Sequence, residues 1–252
     1  MPDLMTPTIA AIRTVAAYVL VALYVLVVGP LGIAWALLVG RPDELYRLSA
    51  AGVRLGLWLT GIRYRVTGPG RVLTDRAAIY CLNHSSNIEP PVFFLVVESL
   101  FPRLRIIYKR ELRKLPIFGK CLEIGKFVPI DRSDREQSGR AIAQAARQIQ
   151  EGDSFLVFPE GTRSRTGELL PFKKGAFVLA IQAQAPLVPV AIIGARDAMR
   201  KGSPIIWPVT MTVRIGEPVE GHGSTYDDRD RLMEEVRTRI AEMLALGALG
   251  RE

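Results

Sequence analysis

The chain has 252 residues, 49% hydrophobic and 23% charged, which excludes a disordered polymer and leaves apolar side chains beyond what one α/β core consumes. Its formal net charge of +8 suits an anionic partner, whether nucleic acid, an anionic membrane leaflet or phosphorylated substrates; the chain has no zinc finger, RNP motif or basic recognition helix, and its apolar N-terminus favours a membrane surface over nucleic acid. Cys81 and Cys121 stand far apart and outside any C-x-x-C spacing, which speaks against a disulfide framework and against a zinc site.

Residues 14–40 (TVAAYVLVALYVLVVGPLGIAWALLVG) carry no charged side chain. A helix crosses the hydrocarbon core with about 20 apolar residues, so this run is long enough. Asp3 precedes it and no small-residue cleavage site closes it, unlike a signal peptide. Gly29-Pro30 interrupts the run, because proline lacks a backbone donor and disfavours helix in the residue before it. Two arrangements follow: one kinked spanning helix, or a helical hairpin that dips into one leaflet and returns. Residues 42–62 then read as an amphipathic helix, with Leu45, Leu48, Val53, Leu55, Leu57, Trp58 and Leu59 among basic residues. Residues 1–62 are thus predicted to be a membrane-associated helix pair, and 63–252 a separate α/β domain.

In that second part, short apolar, β-rich runs at 64–67, 78–82, 104–108, 127–130, 155–158, 187–193 and 209–215 alternate with helical patterns at 92–100, 134–150, 175–184 and 227–246. Such alternation predicts an α/β fold with a mixed, largely parallel sheet flanked by helices. Gly152 is the stop signal for the helix over 134–150.

Two segments carry candidate chemistry. The first, NHSSNIEPP at 83–91, follows a buried strand. On one continuous helix His84 and Glu89 would face about 140° apart. Pro90 makes that helix start late, near Pro90 itself, with Glu89 close to the N-cap. The loop of residues 85–88 can then curl back and bring the carboxylate to the imidazole. A carboxylate on one ring nitrogen fixes the tautomer, and the other nitrogen can take a proton from an attacking alcohol. A polar capping loop is the competing reading of the same residues.

The second segment, FPEGTRSR at 158–165, also leaves a strand. Gly161 permits a tight turn, and Arg163 and Arg165 offer forked donors that match phosphate oxygens. Glu160 is expected to anchor an arginine or to accept from a substrate hydroxyl; a solvated turn is the competing reading. Ligands of open α/β sheets lie beyond the carboxyl ends of the strands. If the two preceding strands are parallel, His84 and Arg163 converge on one cleft, a base for a hydroxyl beside a clamp for a phosphate. Lys109 and Arg110, in the basic stretch YKRELRKLPIFG that ends in a Pro-x-x-Gly turn, read either as further phosphate contacts or as a solvated helix start. Asp131-Arg132 reads as an ion pair or a site wall, Lys173 and Lys174 as a membrane-facing edge, and His222 as a surface loop residue. The chain has no Walker loop, Rossmann glycine fingerprint, G-x-S-x-G elbow or metal-ligand cluster.

NHSSNIEPP resembles the H-x4-D box of the glycerolipid acyltransferases, and FPEGTRSR resembles their second signature box. KRELRKLPIFG, VPIDRS and PLVPVAIIG match their remaining segments in order. The set, over 63–216, is most similar to bacterial 1-acyl-sn-glycerol-3-phosphate acyltransferases of the PlsC type. That resemblance implies acyl transfer from acyl-CoA or acyl carrier protein to the sn-2 hydroxyl of lysophosphatidic acid, making phosphatidic acid for phospholipid synthesis. It implies no cofactor and no metal. His84 would be the base and Glu89 its orienting carboxylate. Glu160, Gly161, Thr162 and Arg163, with Lys109, would bind the glycerol phosphate. The site would sit on the cytoplasmic face of a bacterial inner membrane, among membrane lipids. Glu89 stands where the family usually has Asp; its extra methylene requires the loop to shift or the side chain to fold back. The same chemistry on another lysolipid, such as lyso-ornithine lipid, and a non-catalytic lysolipid-binding membrane protein are the alternatives.

Overall fold

The uncharged run folds as one helix. In the protein's computed structural model, which describes residues 6–131 and 133–249, helix α1 covers Pro7–Val39 without a break. The Thr6 hydroxyl accepts from the Ile9 N–H at its start, and Gly40, at φ 67°, closes its end. Pro30 lies inside the helix. Of the two arrangements, the hairpin at Gly29-Pro30 is excluded and the single helix is found: the chain turns back only after Gly40, and α2 (Glu44–Thr60) returns along α1. Glycines set that approach. A Cβ on Gly52 would stand 2.9 Å from a Tyr24 ring carbon, and one on Gly32 2.5 Å from Leu48 Cδ1. The Tyr24 hydroxyl donates to the Leu48 carbonyl at 2.9 Å, fixing the pair.

Helix α1 is long and apolar enough to cross a membrane by length and composition. Its outer face stays bare: Ile12, Val15, Leu23, Leu26, Leu31 and Leu38 are all exposed, Leu38 at 84%. Its inner face touches the α/β part at two distant points. The Thr14 hydroxyl accepts from the Ile206 N–H at 2.9 Å, and Gly29 lies against Ile117. These points are about 22 Å apart along the helix axis.

The rest alternates as expected: β1 (Arg63–Thr67), β2 (Ile79–Leu82), α3 (Glu89–Val96), β3 (Leu104–Lys109), α4 (Pro116–Ile124), β4 (Val128–Ile130), α5 (Arg135–Gln150), β5 (Ser154–Val157), α6 (Gly175–Ala183), β6 (Leu187–Ile193), α7 (Ala195–Ala198), β7 (Thr210–Ile215) and α8 (Arg229–Leu249). Among the described residues seven strands form one sheet in the order β1-β7-β6-β2-β5-β3-β4, parallel at every junction except β6–β7. Helix α4 is the main element missing from the sequence reading: Pro116 opens a helix there and does not make a turn. Helix α3 begins at Glu89, one residue before Pro90, so Glu89 belongs to its first turn.

Strand alternation divides the core. Tyr80, Leu82, Leu156, Val190 and Ile192 face the side of α2 and α3. Ile79, Cys81, Phe155, Val157 and Ala191 face α5, α6 and α8. The central strands are covered on both sides, and β2 and β5 are accordingly buried at every position. On α5 the small residues Ala141, Ala145 and Ala146 let the helix lie close, and Asp134 caps it by accepting from the Gln137 N–H at 3.0 Å. The outcome that matters for function is at the carboxyl edge. Parallel β2, β5 and β3 deliver the segments after Leu82, Val157 and Lys109 side by side.

Replacing Gly52 with leucine drives a side chain into the Tyr24 ring. It is expected to destabilise the protein by about 1–3 kcal/mol, the usual cost of overpacking, measurable as a lowered thermal midpoint in detergent.

Candidate active site

The first loop is built around a buried carboxylate. Glu89, fully buried, receives four donors: the Ser85 N–H at 2.8 Å, the Ser85 hydroxyl at 2.7 Å, the Ser86 N–H at 3.1 Å and His84 Nδ1 at 2.7 Å. A carboxylate can only accept, so this arrangement places a proton on Nδ1 and leaves Nε2 as the basic nitrogen. The extra methylene of Glu89 is absorbed: its carboxylate reaches both the serine N–H groups and the imidazole. Asn83 seats the loop on the sheet. Its side chain accepts from the Ile192 N–H at 2.7 Å and donates to the Ile192 carbonyl at 3.0 Å, extending the β2–β6 ladder by one rung. The His84 ring stacks on Phe158, centroids 4.0 Å apart, which fixes its plane.

Phe158 belongs to the second segment, and the two loops are joined by main chain. The His84 N–H donates to Glu160 Oε1 at 2.6 Å, and the Ser164 N–H donates to the His84 carbonyl at 2.7 Å. The other Glu160 oxygen accepts from the Leu170 N–H at 3.0 Å. Glu160 is only 3% exposed and both its oxygens are taken. The expectation that it meets a substrate hydroxyl or an arginine is corrected: it is an internal brace. Gly161 has φ 69° and is buried, and a Cβ there would stand 2.9 Å from the Lys173 side chain. Thr162 is exposed and Arg163 half-buried. Arg163 forms no ion pair among the described residues. Lys109 closes β3 at the same edge, exposed and paired with Glu111 at 3.1 Å. Arg110 lies 3.9 Å from Asp131; Arg132 lies outside the described residues. His222 is exposed in a loop, as the sequence suggested.

The sequence model of the Acyltransferase family matches residues 63–193, which contain both loops. The chain belongs to the acyltransferase family. It is 33% identical over 225 residues to a 1-acyl-sn-glycerol-3-phosphate acyltransferase of Limnanthes douglasii, covering 87% of this chain and 78% of that protein. It is 31% identical over 246 residues to the enzyme of the same name from Pseudomonas aeruginosa, covering 94% of this chain and 92% of the other. The crystal structure of the 1-acyl-sn-glycerophosphate (LPA) acyltransferase PlsC from Thermotoga maritima superposes with a TM-score of 0.74 at 24% identity, over 94% of this chain and 98% of that one. The acyltransferase fold is thus shared from the N-terminal helices onward.

Of the seven residues to which the sequence points, the structure joins Glu89 and Glu160 to His84, holds Gly161, Thr162 and Arg163 on the adjoining loop, and leaves Lys109 at the end of β3, paired with Glu111. Two residues were missed. Lys173 lies over Gly161, and the Lys201 ammonium donates to the Arg163 carbonyl at 2.7 Å and to Thr162 Oγ1 at 3.2 Å. From the sequence Lys173 is expected at a membrane-facing edge; its side chain instead covers the turn at Gly161. Lys201 carried no local signal, since it arrives from beyond β6.

The acyltransferase brace has a measurable titration. Burial first, and the charge of Glu89 after it, push the Glu160 carboxyl up to about 7 from its ordinary 4.5, against the pull of the two N–H donors. Its contribution to stability is fully present below the ordinary value and is lost as pH rises to about 7, because the unfolded chain ionises first. In Glu160→Gln the amide nitrogen must face one of the two N–H donors, which costs about 1–3 kcal/mol. The stability gap between wild type and Glu160→Gln is expected to shrink across that pH window in denaturant titrations. A gap that stays constant would contradict the assignment.

Proposed function

We propose that this acyltransferase moves a fatty acyl group from acyl-CoA or acyl carrier protein to the sn-2 hydroxyl of 1-acyl-sn-glycerol 3-phosphate, yielding phosphatidic acid. The observation that carries the reading is the His84 imidazole, tethered through Nδ1 to Glu89 at 2.7 Å, on a loop bonded directly to the one bearing Arg163. The names of the relatives supply the acceptor.

Nε2 of His84 takes the proton of the acceptor hydroxyl as its oxygen attacks the thioester carbonyl. The tetrahedral intermediate collapses, the C–S bond breaks, and the imidazolium returns its proton to the departing thiolate. Glu89 stabilises the transient positive charge on the ring and keeps the tautomer. No nucleophilic side chain is required, because the substrate brings the hydroxyl. Arg163, with Lys109 at the same edge, holds the phosphate.

The acyl chains need an apolar route, and a cavity of about 500 Å³ lies between α1, α2, α3 and α4. Val21, Val25, Val53, Phe94 and Phe127 line it, and Ile88 and Pro90, the two neighbours of Glu89, form part of its wall. It therefore approaches the catalytic loop from the side of the membrane helices. The seating of α1 supports a helix that dips into one leaflet. A perpendicular span would carry Ile206 and Ile117, which meet α1 at points about 22 Å apart along its axis, into the bilayer with it.

His84→Ala is expected to lower kcat with acyl-CoA and lysophosphatidate by roughly two to four powers of ten. Near-normal turnover would remove the mechanism, and lysolipid binding by wild type without any product on mass spectrometry would favour a silent binding protein. Glu89→Gln puts an amide donor among four donors and loosens the tautomer. A fall in kcat of about 10²–10⁴ is expected, with a smaller change in KM.

A further inference from the structure

We propose that Lys201 is a further cation for the acceptor's phosphate, beside Arg163 and Lys109, and sets the preference for a phosphomonoester over a phosphodiester. This rests on the acceptor reading above and adds a specificity-determining residue to it.

Lys201 lies beyond residues 63–193, in the segment between α7 and β7, so the family match says nothing about it. That segment is pinned along its length. The Met199 carbonyl accepts from the Ser86 hydroxyl at 2.9 Å, which ties one end to the catalytic loop. The Pro204 carbonyl accepts from the Tyr18 hydroxyl at 2.8 Å, and the Ile206 N–H donates to Thr14 at 2.9 Å, which ties the other end to α1. The Trp207 N–H closes the loop onto the Ala198 carbonyl at 2.8 Å. Lys201 is therefore held in place, half-buried, before any substrate arrives.

Its two bonds go to neutral oxygens, the Arg163 carbonyl and the Thr162 hydroxyl. Neither cancels its charge, and an ammonium has three donors, so one remains. Among the described residues neither Arg163 nor Lys201 has a carboxylate partner, so two unneutralised cationic residues stand at one loop, Lys201 through its ammonium on the Arg163 carbonyl. A phosphomonoester carries a charge between −1 and −2 near neutral pH, its second pKa being about 6, while a diester carries only −1. Two cations favour the former. A lysine that only braced the loop would instead act on every acceptor alike.

The test compares wild type, Lys201→Met, Lys201→Gln and Lys201→Arg as full-length purified proteins with one acyl-CoA donor. Two acceptors are used: lysophosphatidate, and its phosphate methyl ester, which keeps the glycerol and chain but loses the second ionisation. Lys201→Met is expected to raise KM for lysophosphatidate by roughly ten- to a hundredfold, the range of a charge-assisted hydrogen bond, with kcat changed only a few-fold. The ratio of kcat/KM between the two acceptors is expected to narrow by a similar factor, and Lys201→Arg to restore most of it. Lys201→Gln keeps a donor for the Arg163 carbonyl without the charge, so the same narrowing is expected if Lys201→Met fails to fold. An unchanged ratio in Lys201→Gln, or equal losses on both acceptors, overturns the proposal. A wild type that acylates neither acceptor overturns the acceptor reading itself; an active wild type with unaltered ratios in the variants sinks only the role of Lys201.

Discussion

His84 is fixed by its main chain before its side chain does anything. Its N–H ends on the Glu160 carboxylate and its carbonyl receives the Ser164 N–H, so the loop of His84 and Glu89 and the loop of Thr162 and Arg163 are a single hydrogen-bonded unit. This follows from topology. Strands β2 and β5 are parallel neighbours, so whatever follows Leu82 must lie beside whatever follows Val157. The cost is a second buried carboxylate close to Glu89. It is tolerated because each Glu160 oxygen meets a backbone donor, and because part of its charge is relinquished near neutrality.

That unit explains how a carboxylate one methylene longer than the family's usual one can serve. The main-chain donors of Ser85 and Ser86 converge on one Glu89 oxygen, while the other meets Nδ1 of His84. With four donors around it, the carboxylate position is dictated by the loop and not by the side chain's length. The stacking of His84 on Phe158 then sets the remaining freedom of the ring. Preorganisation of this kind is what makes a lone histidine an effective base.

Much of this was legible in the residues. The seven β-rich runs became seven strands, because their apolar side chains alternate or run continuously in the way a covered sheet demands. The spacing of His84 and Glu89 around Pro90 foretold a loop that closes on itself. The brace role of Glu160 was not legible, since its partners are backbone N–H groups of His84 and Leu170, which leave no trace in side-chain pattern. Lys201 was hidden for a related reason: it reaches Arg163 only through tertiary folding, from 38 positions away. Pro30 left a single helix and a hairpin both open, because its lost hydrogen bond is a local penalty, while α1 is held along its length by α2, Ile117 and Ile206.

The substrate's chemistry makes the last demand, since a lysophospholipid is apolar at one end and highly charged at the other. The molecule meets it across a few residues at the start of α3. Ile88 and Pro90 face the apolar cavity beneath α1 and α2, and Glu89 between them is turned onto His84. From there the cations of the second loop begin. Helix α1 bears on both halves: it walls the cavity through Val21 and Val25, and through Thr14 and Tyr18 it anchors the segment whose Lys201 holds Thr162 and Arg163. A shift of α1 against the domain would therefore move the cavity wall and the loop of Thr162 and Arg163 together. On the proposed reading, the distance from acyl chain to phosphate, which must match the substrate for the hydroxyl to meet Nε2, is in this way tied to one helix.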